Sequence, residues 1–313
     1  MNNELEIFRD PEDGELTTFE TLVTKYSNEI GVVNLLSGNG EQTIEGENFE
    51  DTIVINSLEG RSLRTIYQII QRELVDNAIN KDKLKGYLDR FNEVISRRGI
   101  NDEKQLAQVL SAIGAFRYEC ENKALAYQGT FVLPKKVREL LPNQGIYFGI
   151  GMGPGDNIIT LANEKNLNGV LGCDISSSMV YRAKREYNRG RFFVGDAQDL
   201  PLAEESIDVA IICNALDRIP TARTTIDKIG RLVKPGGYLV VAQCNPFQNQ
   251  FTDNGLRFVY VPQQQQLNSV DEAIEAAGLN KTYRNDMPFE WNINTLLYGK
   301  EKLDVNVAIG QKQ

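Results

Sequence analysis

The stretch GIYFGIGMGPGDN at residues 145–157 joins a short apolar run to a turn in which glycine occupies every second position. The four glycines are Gly149, Gly151, Gly153 and Gly155. Glycine loses more backbone freedom on folding than any other residue, so a run of glycines is costly. Such a turn predicts that a ligand approaches the backbone too closely for a β-carbon, and that a helix follows directly.

From residue 145 onward, short apolar runs alternate with amphipathic stretches of helical period. The apolar runs read IYFGI, GVLGCDI, RFFVG, IDVAIICNAL, GYLVVAQC and INTLLYGK. Short strands that alternate with helices predict right-handed βαβ units and a parallel sheet. The sequence therefore predicts an α/β fold with a doubly wound, mostly parallel sheet. In such a sheet a ligand binds beyond the carboxyl end of the first strand, where the glycine turn lies.

The glycine turn alone does not identify the ligand, because dinucleotide-binding folds have one at the same place. Their fingerprint is Gly-x-Gly-x-x-Gly. Counted from Gly149 the sixth position is Pro154, and counted from Gly151 it is Asp156. The spacing here is Gly-x-Gly-x-Gly, which disfavours a nicotinamide-dependent oxidoreductase and leaves it as an alternative.

Two acids follow the second and third predicted strands. Asp174 ends the second strand in GVLGCDISSS, where a carboxylate can accept both hydroxyl groups of a ribose. Asp196 follows the third strand in FFVGDAQDLPL, where it can accept a hydrogen bond from an exocyclic amino group of adenine. The plainer interpretations are a helix N-cap for Asp174 and an ordinary loop acid for Asp196. Asp199 is expected to be a loop or helix-cap residue.

These motifs, together with SIDVAIICNALDRI and the Lys-Pro-Gly-Gly turn of IGRLVKPGGYLVVAQ, resemble the class I S-adenosylmethionine-dependent methyltransferases. The resemblance covers about Gly145–Lys300. It implies a seven-stranded sheet of order 3-2-1-4-5-7-6, with INTLLYGK as the antiparallel last strand. It also implies S-adenosyl-L-methionine as cofactor and S-adenosyl-L-homocysteine as product.

The resemblance further implies which residues of this chain bind the cofactor. The glycine turn wraps the methionine end, Asp174 with Ile175 lies at the ribose, and Asp196 with Ala197 lies at the adenine. Asn214, after the fourth strand, is expected beside the cofactor as well. Relatives usually carry an acid just ahead of the glycine turn, at the position of Gly149. That departure leaves open a catalytically silent module that binds the cofactor without turnover.

The chain contains no histidine, which removes the commonest general base and metal ligand. Relatives often carry histidines after the fourth strand, whereas this chain reads NALDR at residues 214–218. Asp217 as a base and Arg218 as an anion clamp are the candidate catalytic residues, against a surface salt bridge. The expected reaction is in-line methyl transfer to an O nucleophile (carboxylate, phenol or enol) or an N nucleophile of a small molecule or short peptide.

The composition of the chain limits the classes of partner that it is expected to bind. The formal net charge is −9 and no basic run is present, so a nucleic-acid partner is not expected. The sequence contains no apolar run of membrane-spanning length and no apolar leader after Met1, which predicts a cytoplasmic protein without a membrane segment. The four dispersed cysteines predict reduced thiols rather than a metal site. Phe289 and Trp291 are expected in the core.

The sequence pattern of the first 130 residues differs from that of the rest of the chain. Residues 1–130 are predicted to form a mostly helical cap that determines acceptor specificity, and residues 131–313 the methyltransferase domain. The tyrosines of the cap are expected to pack in its core rather than close over the cofactor; they are Tyr26, Tyr118 and Tyr127. The sequence does not indicate an oligomeric state.

Overall fold

The computed structural model describes residues 7–10, 15–26, 33–34, 131–175, 177–216, 219, 221–244, 267–295 and 299–313. The elements in chain order are β1 (Phe8–Arg9), β2 (Leu16–Thr17), α1 (Phe19–Tyr26), β3 (Val33–Asn34), α2 (Lys135–Arg138), β4 (Ile146–Ile150), α3 (Asp156–Glu164), β5 (Gly169–Asp174), α4 (Ser177–Glu186), β6 (Arg191–Val194), β7 (Ile207–Cys213), α5 (Ala222–Leu232), β8 (Val233–Cys244), α6 (Val270–Ala276), β9 (Asn280–Arg284), β10 (Phe289–Thr295) and β11 (Gly299–Gln311).

The main sheet has the order β10-β11-β8-β7-β4-β5-β6-β3, and β9 pairs with β11. Strands β3 to β8 run parallel to one another, whereas β11 pairs antiparallel with β8, β9 and β10. The α/β fold with a mostly parallel sheet is therefore confirmed. Strand β4 lies between β5 and β7, so the chain reverses its winding direction at the glycine turn.

Two features of the sheet differ from the sequence prediction. Among the described residues the main sheet has nine strands rather than seven. The antiparallel strand beside β8 is β11, with Val305 opposite Cys244, and not INTLLYGK. The first residues of INTLLYGK end β10 and its last residues begin β11, so this apolar run spans a hairpin. Residues 296–298 lie outside the described residues.

The sheet separates two apolar cores. Along β4, Tyr147 faces one core, and Phe148 and Ile150 face the other. All five residues of β4 are buried, as expected for a strand with both faces covered. Helices α3 and α4 cover one face, and α5 and α6 cover the other. Their buried contacts are Ile158, Leu161, Val180 and Ala183 on the first face, and Ile226, Ile229, Ala273 and Ile274 on the second.

The described N-terminal residues join this domain. Phe8 and Leu22 are fully buried in the core that contains Phe148 and Phe193, and β3 pairs in parallel with the outer edge of β6. The described residues before residue 35 thus contribute to both the core and the edge of the sheet. The domain division at residue 130 stays a prediction. The helical cap expected in residues 35–130 lies outside the described residues.

Three further observations bear on the sequence predictions. The Lys-Pro-Gly-Gly segment lies within β8 as an irregularity of its pairing with β7, where the register shifts between Ile207 and Val209. Cys173 is a buried free thiol and Cys213 is a partly buried one, and Cys120 is outside the described residues. Within the part of the chain that the structure describes, no helix is long and apolar enough to cross a membrane.

Candidate functional site

The carboxyl ends of four neighbouring parallel strands bring the predicted site residues to one edge of the sheet. Gly151 follows β4, Asp174 ends β5, Asp196 follows β6 and Asn214 follows β7. The loop after β6 is tied to the end of β5, because the Gly195 amide donates to the Asp174 carbonyl at 3.0 Å. The strand order therefore places acids that are distant in sequence at the same edge of the sheet.

The glycine turn depends on glycine for both its conformation and its packing. Gly151, Gly153 and Gly155 have φ values of +55°, +56° and +88°, in the left-handed region that favours glycine. A β-carbon on Gly151 would lie 2.7 Å from the Ala215 Cβ, and one on Gly155 would lie 3.0 Å from Ile159 Cδ1. Side-chain atoms of Ala215 and Ile159 therefore already lie too close to Gly151 and Gly155 for a β-carbon.

Gly149 lies inside β4 rather than in the turn, opposite Gly172 of β5. A β-carbon on Gly149 would lie 3.2 Å from Met152 Cβ and 3.4 Å from Ile158 Cβ. A β-carbon on Gly172 would overlap the Met152 sulfur. Met152 therefore packs over the two paired glycines, and apolar atoms fill the space next to the position where relatives usually carry an acid.

Asp174 links the end of β5 to the glycine turn. Its Oδ2 accepts a hydrogen bond of 2.8 Å from the Gly153 amide, and the Met152 amide donates to the Cys173 carbonyl at 3.0 Å. Ile175 follows and is partly buried. The carboxylate of Asp174 and the backbone of the turn thus form one hydrogen-bonded unit. The role of Asp174 at a ribose stays a prediction.

Asp196 lies in a network of hydrogen bonds centred on Gln198. Asp196 Oδ1 accepts from the Gln198 amide at 2.9 Å, and the Gln198 Nε2 lies 3.2 and 3.1 Å from the two carboxylate oxygens. Gln198 Oε1 accepts from the Thr221 hydroxyl at 2.6 Å. Burial raises the pKa of the Asp196 carboxyl, and the hydrogen bonds from Gln198 only partly offset that rise. Ala197 packs against the core below.

Asn214 connects the ends of β7 and β8. Its φ is +51°, its amide donates to the Ala242 carbonyl at 2.8 Å, and its Oδ1 accepts from the Cys244 amide at 2.8 Å. Ala215, the next residue, covers Gly151. Asn214 therefore fixes the two strand ends beside the glycine turn, a structural task that the sequence analysis did not predict for it.

Asp156, the first residue of α3, lies directly after the turn and is partly buried. Burial raises the pKa of its carboxyl, Arg182 lowers it and Glu186 raises it, with a net rise. The candidate catalytic residues Asp217 and Arg218 lie outside the described residues.

Phe289 and Trp291 pack as the sequence analysis expects. Both are partly buried against the core on the α3 side of the sheet. The Trp291 ring meets the Phe131 ring edge to face at 6.2 Å between centroids. The Lys136 Nζ lies 4.9 Å from the centroid of the Phe289 ring.

Known proteins are similar to the central part of the chain. Residues 148–241, from β4 to within β8, match the family model of a methyltransferase domain. This part of the chain is similar to a methyltransferase domain, in agreement with the family that its sequence motifs resemble. The match begins within β4 and includes the glycine turn, Asp174, Asp196 and Asn214.

Two curated relatives show the extent of the similarity. The demethylmenaquinone methyltransferase of Beutenbergia cavernae is 32% identical over 30% of this chain and 43% of its own length. The ubiquinone/menaquinone biosynthesis C-methyltransferase UbiE of Campylobacter jejuni is 29% identical over 40% of this chain and 58% of its own length. The chain thus matches about half the length of these relatives.

Among solved structures, an S-adenosylmethionine-dependent methyltransferase of Methanosarcina mazei aligns with 58% of this chain and all of its own, at 16% identity and a TM-score of 0.44. A methyltransferase of Haloferax volcanii, solved in complex with the Trm112 methyltransferase activator, aligns with 56% of this chain and 86% of its own, at 21% identity and a TM-score of 0.45.

The roles of Met152, Gln198 and Thr221 were not predicted from the sequence. One part of the Gln198 network is readable from sequence, because an aspartate side chain commonly accepts from the amide two residues on. Thr221 follows the next strand, and only the folded sheet brings its hydroxyl to Gln198. Met152 lies between glycines that the sequence analysis treated as the whole of the motif.

Proposed function

We propose that this protein is an S-adenosylmethionine-dependent methyltransferase that acts on a small molecule. The observation that carries the proposal is the arrangement at one sheet edge of the hydrogen-bonded Asp174 and glycine turn beside Asp196, within a matched methyltransferase domain. The chain's net charge of −9 and its lack of basic runs do not favour a nucleic-acid substrate. The protein is proposed to be cytoplasmic.

The residues at this edge suit the chemical groups of the cofactor. A ribose presents two hydroxyl donors, for which the Asp174 carboxylate is an acceptor, with Ile175 beside it. An adenine presents an amino donor, for which the Asp196 carboxylate is an acceptor, with Ala197 next to it. The turn of Gly151, Gly153 and Gly155 would follow the methionine end. Donor and acceptor types therefore match at each proposed contact.

When bound, S-adenosylmethionine would supply a methyl group on a sulfonium, whose sulfur leaves as a neutral thioether without protein assistance. The chain's residues then have to exclude water and align the acceptor with the methyl carbon. Alignment of this kind lowers a barrier by roughly 7–11 kcal/mol. This mechanism suits a chain without histidine. Asp217 as a base and Arg218 as an anion clamp remain proposals from the sequence.

The acceptor is proposed to be a small molecule whose nucleophile is oxygen, nitrogen or a ring carbon. The sequence alone favours an oxygen or nitrogen acceptor. The names of the relatives add carbon, because they describe demethylmenaquinone methyltransferases and a C-methyltransferase of quinone biosynthesis. A short peptide is a weaker candidate, since neither relative carries such a name.

A thermal-melt titration tests the proposal. S-adenosylhomocysteine at about 100 times its Kd should add about 2.7 kcal/mol to stability, or on the order of 5–10 °C in Tm. NAD serves as the control ligand, and Asp174→Ala should abolish the shift. A shift with NAD instead would favour the oxidoreductase alternative.

Turnover is tested separately by S-adenosylhomocysteine formation with demethylmenaquinone and with phenolic, carboxylic and amine acceptors. Formation with one acceptor class supports the enzyme and names its substrate class. Binding of the cofactor without turnover across the whole panel would instead favour the silent module, for which the apolar packing at Gly149 provides a reason.

A further inference from the structure

Gln198 connects the Asp196 carboxylate to helix α5 through both ends of its side-chain amide. Its Nε2 faces the two carboxylate oxygens at 3.2 and 3.1 Å, and its Oε1 accepts from the Thr221 hydroxyl at 2.6 Å. Thr221 directly precedes α5, and its Oγ1 lies 3.2 Å from the Oγ1 of Thr225, which is buried. The chain of contacts therefore runs from α5 to the proposed adenine side of the site.

The direction of each hydrogen bond in this chain follows from the number of protons. Since the single hydroxyl proton of Thr221 goes to Gln198 Oε1, the bond between the two threonines requires Thr225 as donor and Thr221 as acceptor. With Oε1 engaged by Thr221, the amide group of Gln198 presents its N–H groups to Asp196. The network thus sets the carboxylate of Asp196 as an acceptor and disfavours its protonated form.

The backbone of the same loop is held at further points. The Lys228 Nζ donates to the Gln198 carbonyl at 2.7 Å, and the Arg9 amide donates to the Pro201 carbonyl at 2.9 Å. The Asp199 amide donates to the Asp196 carbonyl at 3.0 Å. Contacts from α5 and from the N-terminal strand therefore restrain the loop on two sides, so Gln198 has a fixed frame from which to orient Asp196.

We propose that Gln198 is a positioning residue that holds Asp196 as an acceptor-only group, so that the site selects a 6-aminopurine over a 6-oxopurine. The inference rests on the proposed function, because Asp196 has to face the purine. A 6-amino group donates to the carboxylate, whereas a 6-oxo group presents a second acceptor and repels it. A site that leaves a buried acceptor without its donor discriminates strongly between such analogues.

The electrostatics of the site agree with this role. Burial raises the pKa of Asp196, the backbone and side-chain bonds from Gln198 lower it, Asp199 raises it and Lys228 lowers it. Without Gln198 the carboxyl would protonate more readily, and a protonated carboxyl can donate to a 6-oxo group. Loss of Gln198 should therefore reduce selectivity more than it reduces affinity for purines in general.

The experiment is calorimetric titration with S-adenosylhomocysteine and with S-inosylhomocysteine, its 6-oxo analogue. The wild-type protein should bind S-adenosylhomocysteine at least about tenfold more tightly, the size of one charged hydrogen bond. Gln198→Leu should reduce this ratio to about threefold or less. Thr221→Val should reduce it in the same direction, and Thr221→Ser, which keeps the hydroxyl, should restore it.

The ratio of the two affinities separates positioning from a merely structural role, because a distorted loop weakens both ligands equally. An unchanged ratio in folded Gln198→Leu overturns the inference; if that variant does not fold, an unchanged ratio in Thr221→Val does so. Wild-type protein that binds both analogues equally overturns the inference and leaves the proposed function standing. Wild-type protein that binds neither overturns both.

Discussion

The Gly153 amide and the Asp174 Oδ2 are 2.8 Å apart, so the glycine turn is tied to the end of β5 by a charged hydrogen bond. We predict that Asp174→Ala lowers the free energy of unfolding by about 1.5–3 kcal/mol, since a hydrogen bond to a charged group contributes this much. Asp174→Asn keeps an acceptor oxygen and should lose less. Urea unfolding of the three proteins measures the difference, and equal stability of Asp174→Ala and wild type would contradict the role.

Met152 and Gly172 should be energetically coupled. Gly172→Ala places a methyl group where the Met152 sulfur lies and within 3.0 Å of Phe192 Cδ1, so overpacking should cost about 1–3 kcal/mol. Met152→Ala removes the first of these two conflicts. In a double-mutant cycle the two changes should therefore cost less together than the sum of their separate costs, by about 0.5–3 kcal/mol. Additive costs would show that the sulfur does not limit this position.

Restoring an acid at Gly149 should not improve cofactor binding. The new Cβ would lie against Met152 and Ile158, and a carboxylate among apolar atoms is costly. Gly149→Asp should lower Tm without tightening S-adenosylhomocysteine binding. The matched control is Gly149→Asp combined with Met152→Ala, which should recover part of the lost Tm. Tighter binding by the single variant would mean that the acid finds a polar partner.

The central parallel strands were predictable because each βα unit carries its own local signal. The glycine turn, Asp174 and Asp196 each end an apolar run, and strand order then brings them together. The hairpin of β10 and β11 was misread because INTLLYGK, with four apolar residues among eight, reads as one strand although it contains the end of β10 and the start of β11. The alternation further along, in which Leu303, Val305, Val307 and Ile309 are buried, is a period-two signal of the true antiparallel strand.

The parts that sequence could not predict depend on contacts between distant elements. Strand β3 contains two residues and pairs with β6 across more than half of the chain, so no local pattern marks it. Gln198 is one glutamine in a polar loop until α5 brings Thr221 to it. The positive φ of Asn214 likewise goes with its bond to the Cys244 amide. That bond requires β7 and β8 to be adjacent.

Cofactor affinity should fall on acidification because of Asp196. Burial raises the pKa of this carboxyl above its ordinary value of 3.8 despite the hydrogen bonds from Gln198, with Asp199 raising it and Lys228 lowering it. An adenine amino group needs the ionised form, so binding of S-adenosylhomocysteine should weaken as pH falls through this raised value. Titrations between pH 4 and 7 should show the loss, and Asp196→Asn should flatten it.

Acidification should have the opposite effect on the stability of the ligand-free protein, which the Asp196 carboxyl should increase. A carboxyl whose pKa is raised by folding favours the folded state most below its unfolded pKa of 3.8, and this contribution is lost as pH rises through the folded value. Asp196→Asn should therefore be more stable than wild type at pH values above the raised folded pKa, and not at pH values below 3.8. A wild-type protein whose ligand affinity is constant from pH 4 to 7 would remove Asp196 from the adenine contact.

The N-terminal strand should be coupled to cofactor binding through the loop after β6. Phe8 is fully buried, its ring meets Phe193 at 5.8 Å, and the Ala203 amide donates to the Ile7 carbonyl at 2.8 Å. Phe8→Ala should cost about 3–5 kcal/mol of stability. Because Phe193 lies in β6, directly before the loop of Asp196, the same change should weaken S-adenosylhomocysteine binding.

Hydrogen exchange of the wild-type protein tests the coupling between the N-terminal strand and cofactor binding. If the N-terminal strand and the ligand hold the same loop, S-adenosylhomocysteine should slow exchange at the Arg9 and Ala203 amides, since coupling between two events is reciprocal. Leu16→Ala, at a half-exposed side chain of the paired strand β2, is the matched control and should keep both stability and affinity. Protection limited to the glycine turn, with Arg9 and Ala203 unchanged, would show that the strand stabilises the fold without sensing the site.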